Sequence, residues 1–329
     1  MNRQRTTALL LATCALLITA TACSSGPAIT GNFDRTFALT GHTRLEISTA
    51  SGDINITGSA DNKAHIHGDV RISGIGAVDA NKKMADIVAN PPLEQTPDGL
   101  RIGRDSVPLH NVSISYTIEV PRDTEVAGTS ASGSETVRDV RGPIKLQSAS
   151  GAVRAENIDG EAQLVSASGT VTATNMGDVV RASSLSGDVT VNIAKGDVRA
   201  KDTSGNISIT KPGARVEAED TSGNVDVQGA TSDAKAHSIS GNVSVRGNPS
   251  TGSDWDLKTI SGNADIGVAS GANFHFLAES SSSEIRADIP IIIEEQGKHS
   301  LRAQIGTGGG RVEAHSVSGG IHLSPFQGL

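Results

Sequence analysis

The chain has 329 residues, a formal charge of −8 from 36 acidic and 28 basic residues, and only seven aromatics: five Phe, one Tyr and one Trp. An acidic chain with so few rings lacks the electrostatic footprint and the stacking surfaces of a nucleic-acid binder, so nucleic acid is excluded as a partner. Its apolar residues are small and β-branched, 27 Ile and 25 Val against 18 Leu, and with 37 Gly they suit thin strands joined by tight turns, not helical bundles.

Residues 1–22 read as an export signal: Arg3 and Arg5, an apolar run from Ala8 to Ala20, then small residues before Cys23. The 13-residue run falls short of the roughly 20 that a membrane span needs. Ala20-Thr-Ala-Cys23 resembles a bacterial lipoprotein box, although it departs from the pattern at Ala20, where Leu is usual. Ordinary signal cleavage is the alternative, because Ala20-x-Ala22 also fits that peptidase. Cysteine usage favours lipidation at Cys23. Cys14 leaves with the signal, and a lone unmodified thiol would be a liability in an oxidising envelope. Residues 23–32, opening with Ser24-Ser25-Gly26, then form a tether. The expected address is a bacterial membrane, periplasmic face or cell surface, reached through the lipid alone.

Residues 33–129 read as an N-terminal cap with the first strands, including Arg44–Ile47 and Asp53–Ile56. A helix is predicted over Asp79–Ala89, with Ala80, Met84, Ile87 and Val88 on one face and Pro91-Pro92 ending it. Pro97-Asp98-Gly99 is a turn, and Val112–Val120 alternates as a strand.

Residues 130–266 repeat. Ser-Gly pairs end at Gly133, Gly151, Gly169, Gly187, Gly205, Gly223 and Gly241, each 18 residues from the last. Two residues after each glycine from Gly151 onward stand Val153, Val171, Val189, Ile207, Val225 and Val243, and two further on Ala155, Ala173, Val191, Ile209, Val227 and Val245. Period-two alternation of this kind is a strand with one buried face. A second strand supplies the columns Ile144, Ala162, Val180, Val198, Val216, Ala234 and Leu146, Leu164, Ala182, Ala200, Ala218, Ala236. Gly142, Gly160, Gly177, Gly196 and Gly213 mark the turn between them. Stacked at about 4.8 Å, such coils make an all-β fold, a β-solenoid of two-strand coils around a thin aliphatic core. Ser150, Ser168, Ser186, Ser204, Ser222 and Ser240 are expected to stack as a hydroxyl ladder, and Asn206, Asn224 and Asn242 as an amide ladder. Residues 267–329 break the period and read as C-terminal coils and cap, since open solenoid ends need covering.

From about Phe33 to Leu323 the chain resembles the bacterial putative-adhesin domain, a β-solenoid family of envelope proteins. The resemblance rests on Ser51-Gly-Asp-Ile54, Tyr116-Thr-Ile-Glu-Val-Pro121, the Ser-Gly-x-Val ladder and Ser318-Gly-Gly-Ile321. It implies a surface or periplasmic solenoid, in some members tied to envelope stress, and no catalytic residues.

Three chemistries can be tested on the residues. A carbohydrate-active β-helix is the leading enzyme alternative, but sugar grooves use aromatic platforms, and none lies between Thr117 and Asp254. Asp202 and Asp220 fall at equivalent repeat positions and could share a proton or cation. No Gly-x-Ser-x-Gly elbow exists, and Ser232-x-x-Lys235 falls on a strand, where the Ser-x-x-Lys motif does not work. His65-x-His67 offers two ligands at most, and the turns lack calcium-roll aspartates, so neither metal nor cofactor is expected and folding should be calcium-independent. One outward column, Lys145, Gln163, Arg181, Arg199, Glu217 and Lys235, is rich in cations. Lys145, Arg181, Arg199 and Lys235 are therefore the candidate contacts for an anionic polymer. The expected role is a non-enzymatic scaffold or adhesin-like surface for an envelope glycan or protein, with a regulatory envelope-stress partner as a further alternative.

Overall fold

Each strand of the repeat hydrogen-bonds in parallel to its own equivalent one coil on. Ile144 lies opposite Ala162 in one sheet and Val153 opposite Val171 in the other. The same 18-residue offset carries both sheets to the strands Ala234–Ser238 and Val243–Gly247. The computed structural model describes residues 28–39, 43–74, 77–103 and 110–328; the predicted export signal, the predicted lipidation site Cys23 and residues 23–27 of the predicted tether lie outside the described residues. Among the described residues the chain builds two sheets, of 14 and 15 strands, and one helix. The predicted inward columns meet between the sheets as a closed aliphatic core, with Val153, Val171, Leu146 and Leu164 fully buried. The fold is the all-β solenoid that the repeat predicts.

Alternation breaks at one corner in five successive coils. Strand Val153–Ile158 runs buried, exposed, buried, exposed, exposed, buried. The break falls on Asn157, one of a column (Asp139, Asn157, Asn175, Ile193, Lys211) whose φ values lie between 52° and 59°. The left-handed residue inserts one extra outward position and flips the parity of the residues after it. Ile158, Met176, Ala194 and Pro212 therefore turn inward and fill the corner of the coil. Asparagine suits this column because it tolerates the conformation and because its amide can bond along it. Asn157 Nδ2 donates to Asp139 Oδ1 at 2.9 Å, and Asn175 Nδ2 to Asn157 Oδ1 at 2.8 Å. The glycines predicted at this turn serve close approach instead. A Cβ at Gly142 would stand 2.3 Å from the Thr124 carbonyl oxygen one coil back.

At both ends the stacking order departs from the chain order. The first coil, strands Arg44–Thr49 and Ile54–Ser59, is held between a later outer coil and the repeat. Arg44–Thr49 pairs with both Gly99–Ile102 and Glu125–Ser130, and Ile54–Ser59 with both Val112–Pro121 and Glu135–Arg138. The last coil, Gly310–Ser316 and Ile321–Pro325, likewise lies between Asp254–Thr259 with Ala264–Val268 on one side and Phe274–Ser280 with Ile285–Ala287 on the other. Antiparallel strands finish each end: Lys63–Ile72 and Ile29–Ala38 at the first, Ser300–Ile305 and Ile292–Gln296 at the second. Strand Ile29–Ala38 thus begins inside the stretch read as tether. The helix, Ala77–Ala89, buries Ala80, Met84 and Ile87, and Arg35 Nη2 donates to its last carbonyls, Val88 at 2.9 Å and Ala89 at 3.1 Å. The rare aromatics plug the ends. Phe33 packs edge-on against Tyr116 at 6.3 Å, and Trp255, Phe274 and Phe276 are buried at the other end.

Ile193 is the misfit of the left-handed column, a β-branched residue at φ 59° and 46% exposed. Ile193→Asn should relieve the backbone and extend the amide row from Asn175. The expected gain is about 1 kcal/mol, seen as a melting temperature raised by about 2–4 °C in thermal melts of the purified variant.

Candidate functional site

The turn that carries the Ser-Gly repeat presents three parallel columns, and one of them corrects the sequence reading. The serines just before the glycines, such as Ser150, Ser168 and Ser186, are exposed. The bonded column lies two residues earlier, where the chain enters the turn and the side chain is still directed inward. Ser148, Ser166, Ser184, Ser238, Thr259, Ser316 and Ser280 each donate a hydroxyl to a glycine carbonyl of the neighbouring coil, at 2.8–3.2 Å. Asp202 and Asp220 occupy the same column and are 6% exposed. The asparagine row runs as predicted and further. Asp188 Oδ1 accepts from the Asn206 backbone N–H at 2.9 Å, and the pattern repeats through Asn224, Asn242 and Asn263 to the N–H of Gly320.

Above the hydroxyl column runs a groove made of two contiguous hollows of about 680 and 670 Å³, which share Asp220, His237 and Ile239. Its floor extends from Ser148 to Ser316 and Ser280, nine coils and roughly 40 Å at about 4.8 Å per coil. One wall is the outer sheet face, with Lys201, Glu219, His237, Lys258 and His315. The other is the turn column, whose Leu185, Ile239, Ile260 and Val317 are 59%, 49%, 50% and 48% exposed. The charged wall is internally paired: Lys201 with Glu219 at 2.8 Å, Lys258 with Asp256 at 2.7 Å and His315 with Glu279 at 3.4 Å. The bond to Glu219 raises the Lys201 pKa and lowers that of Glu219. Burial lowers the pKa of His237 even though Asp256 lies 3.2 Å away. Sequence reasoning missed this groove. Its available signal was the bulky apolar residue at Leu185, Ile239, Ile260 and Val317, two positions before each glycine.

The predicted cationic column forms in register, with Lys145, Gln163, Arg181, Arg199, Glu217 and Lys235 side by side. Three of its four cations are engaged. Arg181 pairs with Glu161, Arg199 with Glu217 at 3.5 Å and Lys235 with Glu217 at 3.5 Å. Lys145 makes no ion pair among the described residues. His65 and His67 share a face, but His65 Nδ1 bonds Thr36 Oγ1 at 3.0 Å and His67 bridges Asp34 and Asp69 at 2.8 and 3.3 Å. The bond to Asp34 is the main cause of a raised His67 pKa. Among the described residues no group of three or more His, Cys, Asp or Glu side chains is placed to hold a metal ion, and no helix is long and apolar enough to cross a membrane.

One charged residue sits where the repeat places valine. Glu135 opposes Val153 in register and is fully buried. The other sheet makes room with Gly128, where a Cβ would stand 2.9 Å from Glu135 Oε2. Burial, partly offset by the backbone N–H groups of Gln147 and Ser130, pushes its pKa up to about 8.

Two overlapping stretches of the chain, residues 110–229 and 214–324, match the Toastrack DUF4097 family, well over half of the chain's length. The chain belongs to this family. No curated protein matches this Toastrack chain. Two solved structures are similar to it. A putative lipid binding protein from Parabacteroides distasonis is 18% identical with a TM-score of 0.47, over 71% of this chain and 95% of that one. A putative cell adhesion protein from Clostridium sporogenes is 12% identical with a TM-score of 0.23, over 90% of this chain and 100% of that one.

Glu135 gives the Toastrack fold a defined pH dependence. Its pKa is about 8 when folded and 4.5 ordinarily, so the folded state holds a proton that the unfolded chain releases above 4.5. The stabilisation is complete below that value and is lost as pH rises toward 8, at about 1.4 kcal/mol per pH unit. Glu135→Gln should reduce the fall in melting temperature between pH 5 and 8 and melt higher than the parent at pH 8. Melts at pH 5, 6.5 and 8 check it.

Proposed function

We propose that this Toastrack protein is a lipid-anchored, non-enzymatic envelope protein whose solenoid acts as a rigid scaffold and adhesin-like binding surface, with the long groove as its contact face. The observation that carries this reading is how the polar turn residues are used. The inward hydroxyls from Ser148 to Ser280 and the asparagine amides that border the groove are engaged in bonds between coils, while the groove beside them extends over nine coils. A long surface of repeating chemistry suits an extended envelope glycan or a protein partner better than a compact substrate. The apolar wall supplies contact area and the paired charges supply orientation.

The anchor and the surface are tested with one variant. Cys23→Ala should move the protein from the membrane fraction to the soluble fraction, or leave it as unprocessed precursor, because the lipid is the only anchor proposed. A variant that stays membrane-bound at mature size removes the anchor from the reading. The released protein, immobilised and exposed to envelope extract, should retain a glycan or protein. Adding Leu185→Arg and Ile239→Arg, both on the exposed wall, should cut that retention at least tenfold. Unchanged retention would move the contact face elsewhere, and depolymerisation of an envelope polysaccharide by the pure protein would replace the scaffold with an enzyme.

A further inference from the structure

The column of turn hydroxyls is interrupted twice, at neighbouring coils in the middle of the groove. Seven members donate a hydroxyl to a glycine carbonyl, but Asp202 and Asp220 bring carboxyl groups to the same place. One oxygen of each is accounted for. Asp202 Oδ1 accepts the Thr203 N–H at 2.7 Å, and Asp220 Oδ1 accepts the Ser222 N–H at 2.9 Å. The other, Oδ2, is buried in both residues without a hydrogen-bond partner.

The glycines locate that second oxygen. At Gly241, where Ser238 makes the regular bond to Gly223, a Cβ would stand 3.1 Å from the serine Oγ and 2.0 Å from the Gly223 carbonyl oxygen. At Gly205 the same point lies 2.4 Å from Asp202 Oδ2 and 2.7 Å from the Gly187 carbonyl oxygen. At Gly223 it lies 2.7 Å from Asp220 Oδ2, with the Gly205 carbonyl oxygen beside it. Oδ2 is therefore brought to the same side of the turn as the serine hydroxyl, into the pocket that holds the carbonyl which the hydroxyl would serve. Two acceptors that share a pocket are reconciled by a hydrogen between them.

The surrounding charges do not supply a cation. Asp188 and the two aspartates themselves bear on the site as acids. Lys201 and His237, which line the groove alongside, are turned to Glu219 at 2.8 Å and Asp256 at 3.2 Å. Burial raises the pKa of both carboxyls, and for Asp202 the neighbouring Asp220 and Asp188 add to it.

We propose that Asp202 and Asp220 are carried as neutral carboxylic acids, each donating Oδ2–H to the carbonyl of Gly187 or Gly205, and form a proton-dependent clasp at the midpoint of the groove. Loss of the protons sets two stacked carboxylates against carbonyl oxygens beneath the groove floor. The turns through Gly205 and Gly223 then loosen and the waist of the groove widens. The sign follows from the raised values: the clasp is complete below the ordinary aspartate pKa of 3.8 and is released as pH climbs through the folded one.

The test is a pH titration of the 13Cγ signals of the two aspartates in the full chain, assigned by Asp202→Ser and Asp220→Ser. Both midpoints are expected above the ordinary aspartate value of 3.8. A midpoint at or below 3.8 for either residue overturns the clasp. Thermal melts provide a second reading. The double serine variant restores the regular hydroxyl and should melt higher than the parent at pH 8, with the advantage shrinking toward pH 4. An equal or lower melting temperature at pH 8 overturns the proposal, as does a calcium-dependent rise in the parent that the double variant lacks, which would put a cation where the proton is assigned.

Discussion

Everything in this molecule depends on the parallel hydrogen bonding of each strand to its equivalent one coil on. Because that ladder holds an offset of 18 residues through the repeat, any property at one position is multiplied into a column. Valine and isoleucine two residues after the glycine become a wall of the core, and glycine becomes obligatory where the backbones of successive coils touch. A Cβ at Gly223 would collide with the Gly205 carbonyl oxygen. The same multiplication turns single polar side chains into ladders, so that seven buried turn hydroxyls and the asparagine row bond from coil to coil.

A one-dimensional stack is weakest at its ends, where a terminal coil has a neighbour on one side only. Here the first and last coils of the chain are each one place in from the end, paired on both faces. Fraying of the last coil must break two ladders instead of one, whereas strand Ile29–Ala38 lies at a sheet edge and is held by Lys63–Ile72. The outermost positions go to antiparallel strands and the helix, whose chemistry differs from the repeat, and the aromatics that the repeat excludes are concentrated there. A bulky ring has no place in a column of alanines and valines, but it fills the wider space where the coils change length. At the Trp255 coil the offset grows from 18 to 21 residues, and the indole Nε1 donates to Ser232 O at 2.9 Å.

The same economy shapes what the Toastrack surface can do. Its inward turn hydroxyls from Ser148 to Ser280 and its asparagine amides hold coils together, and three of the four cations in the outward column are paired with acids on the same face. What remains open to a partner is extent: a groove along the stack with one apolar and one charged wall. Where the columns depart from their rule, at Glu135 in the core and at Asp202 and Asp220 in the turn, an acid stands in for a neutral group, and burial makes the fold sensitive to pH.

Much of this was legible in the residues alone, because an exact period needs no tertiary knowledge to be read. The Ser-Gly spacing and the alternation after it determined the coil length, the two strands, the inward columns at Val153 and Leu146 and the asparagine row, and a separate helical apolar spacing determined the helix through Met84. Other features depended on how the turns close. The left-handed residue at Asn157, which turns Ile158 inward, and the choice of Ser148 over Ser150 as the bonded serine follow from backbone parity at a corner. Composition does not encode that parity, since Asn, Ile and Lys all occupy the left-handed column. The insertion of the first coil between later ones and of the last between earlier ones, and the groove that the last coil helps to complete, arise from pairings between residues as distant as Trp255 and Val312. The 18-residue period belongs to local repetition and is written in the sequence. Which coil lies beside which, once that period ends, is decided only by the core surfaces left uncovered when the stack is assembled.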